Sequence, residues 1–218
     1  NVTNMSEMFK HATSFDQYIQ WYQIQDNEEL TNMVSEYLRT HESQTNNFTY
    51  KNKYYGPIGN WDVSQVTDMR ELFTDATNFN EDISNWDVSK VTNMSFMFAN
   101  ANVFNGDISD WEVSNVENMS NMFNQATSFN EDISNWDVSN VTNMNGMFYF
   151  ASAFNHDISS WTGSAATSAQ TDMFSGASAF NRDISNWSTA KVRLMNYMFQ
   201  GTSAFNSEIS QWDTSNVE

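Results

Sequence analysis

Apolar residues recur along this chain with a period of about 25 residues, marked by tryptophans at 21, 61, 86, 111, 136, 161, 187 and 212. In the unit that begins at Trp86 the apolar columns are Trp86, Val88, Val91, Met94, Met97, Phe98, Ala101, Phe104 and Ile108, with mostly polar residues between them. A fixed period of this length is the signature of a stacked repeat, in which each coil buries its apolar face against its neighbours. Val91, Met94, Met97, Phe98 and Ala101 stand at offsets of three and four, which predicts a helix of about three turns in every unit. Ser89, matched by Ser64, Ser114 and Ser139, stands where an N-cap belongs. From Phe104 to Val113 the alternation and the Ser, Asn and Asp flanks predict short extended segments and turns. The expected architecture is α/β: about eight coils, each of one short helix plus short parallel strands, forming a single domain over residues 1–218.

One unit is longer than the rest. Trp21 and Trp61 are 40 residues apart, an ordinary unit plus 15. Within this insertion-bearing repeat, residues 22–57, Asp26 and Glu29 form a capping box. Leu30, Met33, Val34, Tyr37 and Leu38 recur at helical spacing, predicting an additional helix over about 28–40. A polar loop over 45–55 carries Phe48, Tyr50, Lys51, Lys53, Tyr54 and Tyr55. Loops on a rigid scaffold concentrate binding residues, and tyrosine is an economical contact residue. These six are candidate binding residues, against the alternative of a tolerated insertion. The unit at Trp161 carries one extra residue and replaces helix-face positions with small or polar groups over 162–170. It is expected to be the weakest-packed coil, a hinge or simple drift.

Polar residues also recur in register. Asn80, Asn105, Asn130, Asn155, Asn181 and Asn206 form a ladder whose carboxamides can bridge consecutive coils through backbone groups, a structural role. Asp82, Asp107, Asp132, Asp157 and Asp183, continued by Glu208, form a second ladder; Asp62, Asp87, Glu112, Asp137 and Asp213 form a third. Stacked like charges repel. Either turn N–H groups offset that repulsion, as Asp commonly arranges, or weakly bound Ca²⁺ does. The tryptophans and methionines read as core; exposed in a row, the indoles would suit sugar rings. His11, His41 and His156 belong to no column and accompany no catalytic motif. Seven N-x-S/T sequons arise mainly from the repeat consensus.

Composition narrows the partners. The net charge of −18 opposes nucleic acid and anionic membranes. The absence of cysteine removes disulfides and thiolate chemistry. No apolar run is long enough to span a bilayer. The chain enters and leaves in mid-repeat without polar caps, so a fragment of a longer chain is expected, with end-to-end self-association as one possibility.

The unit F-N-x-D-I-S-x-W-D-V-S-x-V-T-x-M-x-x-M-F-x-x-A closely resembles the repeat of BspA-like leucine-rich-repeat surface proteins, including the type abundant in mycoplasma surface lipoproteins. The resemblance covers nearly all of the chain outside the insertion. It implies a right-handed leucine-rich-repeat-like solenoid, extracellular or at the cell surface, that attaches to proteins or glycans and has no catalytic residues. The expected function is therefore non-enzymatic adhesion or surface-structure assembly. The alternative is a Ca²⁺-dependent glycan-binding module that uses the acidic ladder and exposed aromatics. No cofactor is expected beyond that weak calcium.

Overall fold

The computed structural model describes residues 23–40, 48–161 and 171–218. Units of about 25 residues lie one on the next, joined by hydrogen bonds between residues 24 to 29 positions apart. Among the described residues one α-helix is present, α1 at Asn27–Thr40. It is followed by the hairpin of β1, Thr49–Tyr50, and β2, Lys53–Tyr54. A short 3-10 turn at Ile58–Asn60 leads into the regular units.

The helix expected in every unit is absent from the described units after Trp61, and the accounting of backbone donors shows why. Over residues 69–76 the N–H groups alternate between two destinations. Those of Leu72, Thr74 and Ala76 close turns onto the carbonyls of Met69, Glu71 and Phe73. Those of Met69, Glu71, Phe73 and Asp75 cross to Asn93, Ser95, Met97 and Ala99 of the next unit at 2.8–2.9 Å. The segments 94–101 and 119–126 repeat this alternation. Each segment is a ribbon of consecutive three-residue-spaced turns, stacked on its neighbours like a strand. All donors in it are satisfied without a helical i→i−4 ladder.

The apolar spacing of three that suggests a helix is the closure spacing of these turns. Further i→i+3 turns join Val63 to Val66, Ala76 to Phe79 and Ile83 to Trp86. The ribbon also requires two residues per unit in the left-handed region, among them Glu71 and Asp75 (φ 59° and 61°), which no α-helix accommodates. Ser89 is accordingly no helix cap; its N–H donates to Asp87 Oδ1. The expected parallel strands reduce to single-residue parallel bridges linking Asp68, Asn93, Asn118 and Asn143.

The core is a set of stacked side-chain columns. Phe73, Phe98, Phe123 and Phe148 lie with ring centroids 5.4–5.8 Å apart, and Phe79, Phe104, Phe129 and Phe154 at 5.9–6.1 Å. Within a unit the two rings are closer still, 3.8 Å for Phe123 and Phe129. The tryptophans from Trp61 to Trp187 are buried. Each from Trp86 onward donates Nε1–H to the carbonyl of an isoleucine in the preceding unit, Trp86 to Ile58 at 2.9 Å and Trp136 to Ile108 at 3.1 Å. An indole thus contributes both apolar area and the one polar contact that its burial requires.

Helix α1 occupies the place of a ribbon in its own unit. In later units Thr92 and Glu117 donate backbone N–H groups to a threonine carbonyl one unit back. In the first regular unit Thr67 and Asp68 donate instead to Asn27 Oδ1, at 2.9 and 3.1 Å. Leu30, Met33, Val34 and Tyr37 are buried on the helix face.

Candidate functional site

The recurring residues are used internally. Each ladder asparagine from Asn80 to Asn181 accepts through Oδ1 from the backbone N–H of the next: Asn105 to Asn80, Asn130 to Asn105, Asn155 to Asn130, Asn181 to Asn155 and Asn206 to Asn181, at 2.7–3.0 Å. These asparagines are half-buried or exposed rather than buried.

Asp82, Asp107, Asp132, Asp157 and Asp183 are exposed, and each accepts the backbone N–H of the serine two residues on at 2.9–3.0 Å. Glu208 does the same with Ser210. In Asp107, Asp132, Asp157 and Asp183 the serine N–H, followed by its hydroxyl, holds the carboxyl below the ordinary aspartate range; in Asp82 the hydroxyl leads. Asp62, Asp87, Glu112, Asp137 and Asp213 make the same turn. Among the described residues no three His, Asp or Glu side chains converge in a way that could hold a metal ion. His156 is half-buried near Asp132. His11, His41 and segment 162–170 of the divergent unit lie outside the described residues.

The insertion divides its six candidates. Phe48 and Tyr55 are buried in the core. Phe48 packs against Tyr37 and Trp61 at 5.3 and 5.2 Å, and Tyr55 against Trp61 at 6.3 Å. They are anchors that seat the hairpin, not contact residues for a partner. Tyr50 is half-buried, with the exposed Lys51 ammonium 5.0 Å from its ring, and Lys53 is exposed. Lys51 and Asn52, at φ 48° and 63°, form the two-residue hairpin turn between β1 and β2, whose second residue is Tyr54.

What does not repeat lies on the ribbons. The two left-handed columns are Glu71, Phe96, Asn121, Gly146, Asp172 and Tyr197, and Asp75, Asn100, Gln125, Phe150, Gly176 and Gly201. No two members of the first column are alike, although the backbone conformation is the same in each. Phe96, Phe150 and Tyr197 are 38%, 49% and 64% exposed. A bulky L-residue at positive φ costs on the order of 1–2 kcal/mol, and partial burial offsets that least at Tyr197, the most exposed of the three.

Gly146 opens a cavity of about 340 Å³ in this surface. A Cβ at 146 would collide with Asn121 Oδ1, which leans over the glycine. Asn124 donates Nδ2–H to that oxygen at 2.9 Å, while its own Oδ1 is shielded from solvent and accepts no hydrogen bond from any described residue. Asn145, Tyr149, Thr171 and Asp172 complete the lining. Phe150 packs edge-to-face with Tyr149 at 4.7 Å and covers Gly176. Sequence reasoning passed over this site because it took these segments for helices. The readable signal was the run of Gly, Asn and Asp at two fixed positions per unit.

These features define a stacked repeat protein with an invariant hydrogen-bonded frame and a variable outer ribbon. The chain belongs to the family DUF285, described as Mycoplasma protein of unknown function, whose model matches residues 1–48, 42–161 and 129–218. Searches among curated proteins and among solved structures return no match.

Proposed function

We propose that this chain is a non-enzymatic recognition scaffold at the cell surface, which adheres to a protein or glycan through its ribbon face. In this reading it is a right-handed solenoid of the kind its likeness to BspA-like leucine-rich-repeat surface proteins implies, with turn ribbons where a helix was expected. One observation carries the proposal: three exposed aromatics, Phe96, Phe150 and Tyr197, stand at positive φ in columns otherwise held by Gly, Asn, Asp, Gln and Glu. The ribbon imposes the left-handed backbone at these positions but not a bulky side chain on it, and strained positions of that kind cluster at functional sites. The ladders support the reading by contrast, since their polar groups are already engaged in turns and unit-to-unit bonds.

Membership of a mycoplasma family accords with a surface that meets other cells. The net charge of −18 favours neutral or basic partners. The test is adhesion of protein-coated beads to cultured animal cells. Replacing Phe96, Phe150 and Tyr197 together with asparagine is expected to abolish most of the adhesion, whereas replacing Asp82, Asp107 and Asp132 with asparagine leaves it largely intact. The opposite pattern would move the contact to the acidic ladder and defeat the proposal.

A further inference from the structure

We infer that the Gly146 cavity is a subsite for one or two rings of a neutral sugar, a step that rests on the ribbon face being the recognition surface. Its volume, about 340 Å³, lies at the lower end of small-ligand sites, which span roughly 300–1,000 Å³. The chemistry of the lining narrows the ligand. Asn121 and Asn145 present carboxamides whose oxygens already accept one bond each, from Asn124 Nδ2–H and Thr171 N–H, which leaves a second lone pair to accept and an NH2 group to donate; hydroxyl groups on a ring need both. Asn124 works behind the lining: its Nδ2–H donates to Asn121 Oδ1 at 2.9 Å and holds that side chain over Gly146, while its own Oδ1 is shielded from solvent and so meets no ligand. Tyr149 lines the cavity, with Phe150 against it at 4.7 Å, and supplies an aromatic surface for the C–H face of a sugar ring.

Other ligand classes fit less well. The Asp172 carboxylate and the overall negative charge repel phosphate, sulphate and sialic acid. A divalent cation would find a single carboxylate to balance its charge, and the Asn121 and Asn145 oxygens are already engaged by Asn124 Nδ2–H and Thr171 N–H. An extended peptide added as a strand needs free backbone donors. Here the N–H groups of Asn121, Gln125 and Gly146 cross to Asn145, Tyr149 and Thr171 at 2.7–2.9 Å. Those same bonds hold the cavity walls in place, so little ordering is left to be done when a ligand enters.

The test is a printed array that holds neutral gluco-, galacto- and manno-oligosaccharides beside sialylated and sulphated ones, probed with the whole chain. Neutral glycans should be retained and anionic ones not. Asn121→Gly, which keeps the left-handed backbone but removes the carboxamide, and Tyr149→Ala should each weaken the binding by roughly ten-fold or more, with near-UV circular dichroism of the tryptophans unchanged and Lys90→Ala, at an exposed position away from the cavity, as a neutral control. Binding of neutral glycans that is indifferent to both substitutions overturns the site. Absence of any neutral-glycan binding overturns the sugar inference. If the triple aromatic variant still loses cell adhesion in that case, the ribbon face stands as a protein-binding surface; if it does not, both readings fall.

Discussion

Asn130 shows how a single side chain stitches the stack. Its Oδ1 accepts from Asn155 N–H at 2.8 Å while its own N–H donates to Asn105 Oδ1 at 2.7 Å. Asn130→Ala removes the protein partner of the half-buried Asn155 N–H and should destabilise the chain by about 0.5–1.5 kcal/mol. Asn130→Asp retains the acceptor and should cost less, and urea denaturation of the two variants measures the difference. An equal loss in both would mean that the carboxamide nitrogen, not the oxygen, is what matters. The ladder was readable from the recurrence of Asn after the column phenylalanine. Its exposure was not, because period alone does not say which side of a bend a polar group faces. The left-handed positions were readable too: Asn100, Asn121, Gly146, Gly176 and Gly201 are residue types that adopt positive φ. Phe96, Phe150 and Tyr197 obscured that signal, since aromatics are poor residues for such a conformation.

Between a helix and a turn ribbon the apolar pattern does not discriminate, because both place buried groups three residues apart. The difference lies in caps and breakers. Helix α1 carries a reciprocal cap: Glu29 N–H donates to Asp26 Oδ1 at 2.8 Å, and Gln25 N–H donates to Glu29 Oε2 at 3.0 Å. The repeat segments have instead an Asx turn and then a residue at positive φ in the middle of the apolar run. Asp26→Ala should therefore cost about 1 kcal/mol of stability, measured by thermal unfolding. Far-UV circular dichroism of the whole chain should show only a minor helical component. A signal of the size that a three-turn helix in every unit would give contradicts the ribbon. In the insertion, the aromatic residues announced importance but not its kind: Phe48 and Tyr55 are buried because Trp61 and Tyr37 offer them an apolar seat.

At the scale of the molecule, the acidic ladders tie stability to pH. Serine N–H and hydroxyl groups depress the carboxyls of Asp107, Asp132, Asp157 and Asp183 in the folded chain. A depressed carboxyl binds its proton more readily when unfolded, so its contribution is present above the ordinary aspartate value of about 3.9 and is lost as pH falls through the lower folded values. Urea midpoints should thus be nearly level from about pH 7 to 5 and drop below about pH 4. Ser109→Ala, which removes one hydroxyl donor from Asp107, should blunt that drop slightly. A midpoint that rises on acidification below pH 4 would show relief of charge repulsion outweighing the turns. The period and the aromatic columns made the stacked repeat legible from sequence. The face proposed for recognition was hidden because it is defined by positions that fail to repeat.

The most direct test is to measure stability and adhesion on the same protein after Phe96, Phe150 and Tyr197 are replaced together by asparagine. If these aromatics are held at positive φ for contact, relief of the backbone should raise the denaturation midpoint while adhesion to cells falls. A lower midpoint with adhesion unchanged would make them packing residues and contradict the account.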